Sequence, residues 1–100
     1  MYEAFHQIVP VARRPAQSSV YDVVGPVCES GDWIGRERSL AVRPGDLLAV
    51  LSAGAYCMSM ASNYNSRGRA AEVLVDGAQV HVVREREDIA DQLRKEHLLP

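Results

Sequence analysis

The sequence predicts one mainly β domain, a small barrel or sandwich that ends in a helix. The clearest observation is a hairpin, in which Ala70–Val75 and Gln79–Glu85 flank an Asp-Gly dipeptide that is typical of tight turns between strands. Two further runs have the composition of strands, since Val20–Val24 is β-branched and aromatic and Leu47–Ser52 is continuously apolar. A chain of 100 residues, 47% of them hydrophobic, has the size and composition of a single globular domain.

The chain opens with weakly patterned elements. Apolar residues at three-residue spacing in Met1–Val11 predict a short helical or irregular segment that stops before Pro10. Ala12–Ser19 is polar and contains a proline, which predicts a loop. The strand predicted for Val20–Val24 then leads into Pro26–Asp32, a loop with the sequence PVCESGD.

The middle of the chain alternates short strands with turns. Trp33–Arg38 has no clear period, and Leu40–Val42 predicts a short edge strand. Arg43–Asp46, with the sequence RPGD, carries a strong turn signal. Leu47–Ser52 predicts a strand that is buried on both faces. The small residues of 54–62 predict a tight turn or short helix that another body could approach closely.

The last predicted element is a helix over Glu85–His97. Ile89, Ala90 and Leu93 fall on one face of it. Acidic residues lie near its start and basic residues near its end, an arrangement that suits the helix dipole.

Charge and hydropathy exclude two classes of protein. The net charge of −2 gives no basic surface of the kind that nucleic-acid-binding domains carry. Residues 47–66 are uncharged over a length that could span a bilayer, but their second half contains three serines and two asparagines and is too polar for a lipid-facing helix. No export signal is recognisable in the sequence, so we expect a cytoplasmic protein.

The cysteines and histidines carry no signature of a metal site. Cys28 and Cys57 are both expected to be reduced thiols in the cytoplasm, and Cys57 has no predicted role beyond filling space. The three histidines are far apart and share no ligand spacing with the cysteines, so no metal site is predicted.

The stretch Pro26–Asp32 concentrates reactive side chains. It places a thiol, a carboxylate, a hydroxyl and a second carboxylate within five residues, shortly after a predicted strand. Loops held by a rigid sheet often carry chemistry. A lone cysteine beside a glutamate is nonetheless most often a small buried residue next to a solvated acid. The motif alone therefore leaves both interpretations open.

Five motifs together carry a resemblance to a known family. PVCESGD, GDLLAVLSAGAY, SMASNYNSR and AEVLV, with the opening YEAFHQIVPV, are similar in order and spacing to the C-terminal domain of bacterial diaminopimelate decarboxylases. These enzymes are alanine-racemase-like, fold-type III decarboxylases that use pyridoxal 5′-phosphate. Ornithine decarboxylases of that group typically have an aspartate after the cysteine, so Glu29 favours the diaminopimelate branch. The resemblance implies a Greek-key-like β-barrel or sandwich over residues 20–100, with residues 1–19 as the connecting segment from a missing (α/β)8 barrel.

The resemblance also implies a reaction and the residues that take part in it. The family converts meso-2,6-diaminopimelate to L-lysine and CO2, with pyridoxal phosphate bound covalently by a lysine of the missing barrel. Cys28 matches the residue that donates a proton to Cα, and Glu29 matches a residue that contacts the substrate. Tyr2 matches a second substrate contact, and Tyr56 matches a contact to both substrate and cofactor.

In this family the active site lies between the barrel of one subunit and the β domain of the other, which implies a homodimer. Gly54–Ser62 would then pack close to another chain, whereas a tight turn in a small core would need no partner. Lys95, the one lysine in the sequence, falls at the solvated end of the last helix, so the chain by itself is predicted to be inactive. The alternative is a stand-alone, non-catalytic β-barrel that serves as a binding or interaction module.

Overall fold

The computed structural model describes residues 4–13, 15 and 17–100, and the chain divides into two compact units, Met1–Ser59 and Met60–Pro100. The first unit contains two antiparallel pairs of strands and a short helix, and the second contains one pair and two short helical segments, so the prediction of a mainly β chain is confirmed. The elements are β1 (Ile8–Pro10), β2 (Ser19–Val24), β3 (Trp33–Leu40), β4 (Leu48–Val50), α1 (Gly54–Ser59), a 3-10 turn (Tyr64–Ser66), β5 (Glu72–Asp76), β6 (Gln79–Arg84) and α2 (Ile89–Leu93). Within the described ranges the strands pair two by two, and no closed barrel forms.

The first unit begins with a strand where the sequence predicted a helical or irregular segment. β1 pairs with β4 in antiparallel register, with Ile8 opposite Val50. Pro10, which has no N–H to donate, occupies the last position of this short strand. The helical alternative was wrong because the spaced apolar residues do not share a buried face: Ile8 is 6% exposed, whereas Phe5 is 79% exposed.

β3 spans eight residues, and the sequence did not predict it. It pairs with β2, but the register shifts twice within Tyr21–Val24. At one of these bulges Glu37 has a φ of 52°, and its N–H donates to Asp22 Oδ1 at 2.8 Å. Bulges break the alternation of side chains by which a strand is recognised in a sequence. The strand ends at Leu40, so the edge strand predicted for Leu40–Val42 was wrong.

The core of the first unit is small and centres on β1 and β3. Ile8 and Leu40 are the buried hydrophobic side chains of the described residues. Gly35 is also buried, and a Cβ there would lie 2.8 Å from Ile8 Cδ1 and 3.0 Å from the guanidinium of Arg38. The Arg38 guanidinium donates to the carbonyl of His6 at 2.7 Å. These contacts hold His6 and Ile8 against β3.

β4 is shorter and less buried than predicted. Its three residues are half-buried, and Leu47 is 72% exposed. The prediction of a strand buried on both faces over Leu47–Ser52 was therefore wrong, since a two-stranded sheet has no layer on each face to cover it. The chain turns at Ser52, with a φ of 56°, and enters α1, which confirms a short helix within residues 54–62.

The second unit contains the hairpin that the sequence predicts. β5 and β6 pair in antiparallel register, and Asp76 lies opposite Gln79 at the closed end. Gly77 is the first of the two loop residues and has a φ of 59°, a conformation that glycine adopts without steric cost.

The C-terminal helix is present but short. α2 has five residues, whereas a helix was predicted over Glu85–His97. The carboxylates of Asp88 and Asp91 each accept from the other's N–H, at 2.8 and 2.9 Å, and form a capping box that fixes the start of the helix. An earlier start is prevented because the N–H of Glu87 donates to the carbonyl of Arg69 at 3.1 Å. Among the described residues, no helix has the length and apolar character needed to cross a membrane.

Candidate active site

The loop between β2 and β3 presents Cys28 to solvent. Its ends are joined by the N–H of Gly25, which donates to the carbonyl of Asp32 at 2.9 Å. The N–H of Asp32 in turn donates to the carbonyl of Glu29 at 3.0 Å. Cys28 is exposed and lies between Gly25 and Glu29, the two residues whose main chains are bonded to Asp32. We call residues 25–32 the Cys28 loop.

The carboxylate of Asp32 braces this loop from within. Its Oδ2 accepts from the N–H of Val27 at 2.7 Å. It also packs so tightly against the main chain of Gly25 that a Cβ at that position would overlap it. Asp32 belongs to the reactive stretch Pro26–Asp32, but no separate role was predicted for it. Its position after the turn Ser30-Gly31 was the available signal, since acids in such positions often bond to main-chain N–H groups of their own loop.

The carboxylate of Glu29 is folded over the same loop. Oε2 accepts from the N–H of Gly31 at 2.8 Å, and Oε1 lies 3.5 Å from the hydroxyl of Ser30. A carboxylate offers about four acceptor sites, so these two bonds leave Glu29 able to accept from a cationic donor. The side chain is exposed and available to such a donor.

A cleft of about 310 Å³ lies beside the Cys28 loop, and Glu29 and Asp32 are among the residues that line it. Trp33 and Arg36 also line it, and the guanidinium of Arg36 lies 4.4 Å from the centroid of the Trp33 ring. The cleft therefore combines carboxylates with an aromatic ring and a stacked cation, groups that can bind a polar, charged molecule.

Tyr56 lies on α1 and lines a second cavity of about 360 Å³ together with Ala4, His6 and Ser52. The Tyr56 residue is 69% exposed. His6 Nδ1 lies 3.0 Å from the carbonyl of Leu51, and because a carbonyl only accepts, Nδ1 carries the proton in this bond. The bond holds the turn that precedes α1.

The small residues around α1 leave one side of it open. Apart from its two chain neighbours and the backbone of its own helix, no described atom lies within 4 Å of the position that a Cβ on Gly54 would occupy. Cys57, in the same helix, is exposed within this chain, and its expected role as a space-filling side chain stays a prediction. The approach of a further body to this segment stays a prediction.

The predicted site residues therefore fall into two places within the first unit. Cys28 and Glu29 share the Cys28 loop, whereas Tyr56 lies at the other cavity, and no lining residue is common to both. Tyr2 lies outside the described residues. In the part of the chain that the structure describes, no group of His, Cys, Asp and Glu side chains could hold a metal ion.

A network of hydrogen bonds lies in the second unit and involves none of the predicted site residues. Arg69 NH1 lies 3.1 Å from Glu87 Oε2 and also 3.1 Å from Asn63 Oδ1, while Arg69 Nε donates to the carbonyl of Ala61 at 3.3 Å. A Cβ on Gly68 would overlap the carbonyl of Glu87, so that position has to be glycine. The network ties residues 61–63 to the segment before α2, and the pairing of Arg69 with Glu87 was not predicted from the sequence.

The network predicts a pH dependence. The pKa of Glu87 is held below its ordinary value, first by the hydrogen bond from Asn63 and then by those from Arg69, against an opposing effect of burial. A lowered pKa in the folded state stabilises the fold above the ordinary value of 4.5, and that stabilisation is lost as the pH falls through the lowered pKa. We expect the amides of Arg69 and Glu87 to lose protection from hydrogen exchange over that acidic range in the full-length protein.

The control for this prediction is a second glutamate of the same unit. Glu87→Gln is expected to lower protection at neutral pH and to remove its pH dependence, because the amide keeps the shape but not the charge. Glu72→Gln removes the acid from the more exposed pair with Arg84 and is expected to leave residues 61–69 and 86–88 unaffected. Equal effects of the two substitutions would contradict the assignment to Glu87.

Comparison with known protein families gives one match that covers half of the chain. Residues 1–54 match the family model described as pyridoxal-dependent decarboxylase, C-terminal sheet domain. Two similar curated proteins are diaminopimelate decarboxylases. The protein from Pseudomonas aeruginosa is 54% identical over 100 residues, which are 100% of this chain and 24% of that protein. The protein from Methanothermobacter thermautotrophicus is 52% identical over 101 residues, covering 98% of this chain and 23% of that protein.

Solved structures of diaminopimelate decarboxylases are similar to this chain as well. Diaminopimelate decarboxylase from M. jannaschii in complex with L-lysine matches with a TM-score of 0.92 and 43% identity, over 99% of this chain and 23% of that one. The Helicobacter pylori enzyme complexed with L-lysine matches with a TM-score of 0.83 and 41% identity, over 93% of this chain and 23% of that one. The chain thus spans about a quarter of the length of the relatives it matches.

Proposed function

The chain belongs to the pyridoxal-dependent decarboxylases, as their C-terminal sheet domain, and from this premise we propose that it is part of a diaminopimelate decarboxylase. The protein would release CO2 from meso-2,6-diaminopimelate and form L-lysine. The observation that carries this proposal is the similarity to diaminopimelate decarboxylases along nearly the whole chain. The exposed Cys28–Glu29 pair supports it, since a stand-alone binding module needs no thiol held at the middle of a braced loop.

Pyridoxal phosphate, when bound, supplies the electron sink for the bond that breaks on loss of CO2. The residues of this chain suit one wall of its site. Tyr56 presents an exposed ring and hydroxyl at a cavity, and the helix to which it belongs is open at Gly54. Covalent attachment does not fit this chain, because Lys95 is exposed and follows α2 in the second unit. We therefore place the attachment on a lysine of a barrel domain outside these 100 residues.

Cys28 is proposed as the acid that protonates Cα after CO2 has left. The S–H bond of Cys28 breaks, the new C–H bond forms at Cα, and the thiolate remains on the loop. An exposed thiol in a hydrogen-bonded loop suits this step, because the substrate is held by another domain and has to meet the thiol at the domain surface. The thiol has to stay reduced to act as an acid, which is consistent with a cytoplasmic enzyme.

Glu29 is proposed to bind the distal ammonium group of diaminopimelate. Its carboxylate is exposed, and its bonds within the loop fix its direction while leaving acceptor sites free. Tyr2 is proposed as a second contact to the far end of the substrate. Tyr56 is proposed to contact both substrate and cofactor, which requires the two cavities of the first unit to face one shared space in the complete enzyme.

We further propose that the rest of the enzyme completes the fold. Residues 20–100 would form a Greek-key-like barrel or sandwich with strands from outside this chain, and residues 1–19 would connect it to the (α/β)8 barrel. The two-stranded sheets of this chain support this, because such sheets have only marginal stability by themselves. The active site would lie between this domain of one subunit and the barrel of the other, so that the working unit is a homodimer.

The test compares the full-length protein with the 100-residue chain. With pyridoxal phosphate added, we expect the full-length protein to release CO2 from meso-diaminopimelate, and we expect none from the chain alone, since it has no suitable lysine. L-Ornithine, L-arginine and L-lysine are the control substrates. Release from one of these in preference to diaminopimelate would overturn the substrate assignment, and release by the chain alone would overturn the argument from the lysine.

A further inference from the structure

Asp32 holds the Cys28 loop at three points. Its carboxylate accepts from the N–H of Val27 at 2.7 Å, immediately before Cys28. Its own N–H donates to the carbonyl of Glu29 at 3.0 Å, immediately after Cys28. Its carbonyl accepts from the N–H of Gly25 at 2.9 Å and so joins the two ends of the loop. Asp32 is therefore bonded to the peptide group before Val27 and to the one after Glu29, and the two peptide groups that flank Cys28 lie between these points.

Gly25 provides the space that the carboxylate needs. A Cβ on Gly25 would overlap both carboxylate oxygens of Asp32 and its Cγ. The φ of Gly25 is not in the left-handed region, so steric room and not conformational freedom requires glycine here. Asp32 itself is half-buried, which strengthens a hydrogen bond from an amide to a charged carboxylate.

We infer that Asp32 is a positioning residue for the thiol of Cys28. The Asp32 carboxylate can take its place in the loop because residue 25 is a glycine and leaves the space free. The inference rests on the proposed role of Cys28 as proton donor. The place of the sulfur atom depends on the Val27–Cys28–Glu29 main chain, which Asp32 fixes on both sides. A displacement of a reacting group by about 1 Å costs on the order of 100-fold in rate. Asp32 thus acts on the proton transfer through Cys28 and without contact to the substrate.

The chain provides a matched control in Asp46. Its Oδ2 accepts from the N–H of Arg43 at 2.9 Å, and its N–H donates to the carbonyl of the same residue at 3.1 Å. This is the same kind of carboxylate brace as that of Asp32, in a turn of the same unit that does not contain Cys28. Asp46→Ala therefore reports what the loss of such a brace does to the domain in general.

The experiment measures kcat and KM of the full-length enzyme with meso-diaminopimelate. We expect Asp32→Ala to lower kcat between about tenfold and 100-fold with little change in KM, because the thiol and not the substrate is misplaced. Asp32→Asn keeps an amide oxygen that can accept from Val27 and is expected to retain more of the activity. Gly25→Ala keeps the carboxylate of Asp32 but fills the space that this carboxylate occupies, and it is expected to lower kcat as Asp32→Ala does. Asp46→Ala is expected to match the wild type.

The decisive comparison repeats Asp32→Ala in the Cys28→Ala background. If Asp32 acts through the thiol, its substitution costs nothing further there, whereas a general structural role costs the same factor in both backgrounds. Equal losses, or an unchanged kcat in Asp32→Ala, would overturn the inference while the role of Cys28 stands. An unchanged kcat in Cys28→Ala alone would overturn the proposed function of Cys28, and this inference with it.

Discussion

Replacing Cys28 by alanine in the full-length enzyme is expected to lower kcat by about 10²- to 10⁴-fold, the range that a positioned general acid contributes. Bound pyridoxal phosphate, followed by its absorbance, is expected to stay close to the wild-type level. The two effects separate because the thiol is proposed to act after CO2 has left, whereas the cofactor is proposed to be held by other groups. CO2 release and incorporation of solvent deuterium at Cα are the measurements.

Cys57 supplies the control for this prediction. It is the other cysteine of the chain, it is also exposed, and it lies on α1 next to Tyr56. Cys57→Ala removes a thiol of the same kind from the same unit and is expected to leave kcat within about twofold of wild type, as surface substitutions do. Turnover in Cys28→Ala near that of Cys57→Ala would show that the proton comes from another group.

The parts of the fold that the sequence predicts are those determined by local chemistry. The hairpin follows from β-branched runs around Gly77, whose positive φ is a local requirement. The presence of a C-terminal helix was predicted as well, from Ile89, Ala90 and Leu93 on one face, although the helix is shorter than expected. The Cys28 loop was recognised because its turn residues lie together in the sequence.

The parts that could not be predicted depend on residues far apart in the chain. β3 is bulged where Glu37 bonds to Asp22, 15 residues away, and its side-chain alternation is lost there. The start of α2 depends on a bond between Glu87 and Arg69, 18 residues apart in sequence. No local pattern encodes such pairs.

The burial of hydrophobic side chains was overestimated, because the hydrophobic pattern of a strand does not show whether this chain itself covers those side chains. Four valines face one another across β5 and β6, in the pairs Val73–Val82 and Val75–Val80, and each is more than half exposed. In a two-stranded sheet both faces stay open unless another layer packs on them. These valines are consistent with the proposed packing against the rest of a longer enzyme.

Replacing Glu29 by glutamine is expected to lower kcat/KM for meso-diaminopimelate between about tenfold and 100-fold. The lost interaction is a hydrogen bond between two charged groups, worth about 1.5–3 kcal/mol. Glutamine keeps the length of the side chain and an oxygen that can accept from the N–H of Gly31, so the loop keeps its shape while the attraction for the distal ammonium is lost. Glu29→Asp, which keeps the charge but is one methylene shorter, is expected to fall between glutamine and wild type.

A substrate that lacks the distal ammonium separates this contact from any effect on the loop. With 2-aminopimelate, Glu29→Gln and the wild type are expected to have the same kcat/KM, because neither has an ammonium to bind. The matched substitution is Glu37→Gln, an exposed glutamate of β3, which is expected to change kcat/KM for neither substrate. If Glu29→Gln lowers kcat/KM for both substrates by the same factor, the residue supports the Cys28 loop and does not recognise the substrate. A loss confined to diaminopimelate would identify Glu29 as the residue that selects for its second amino group.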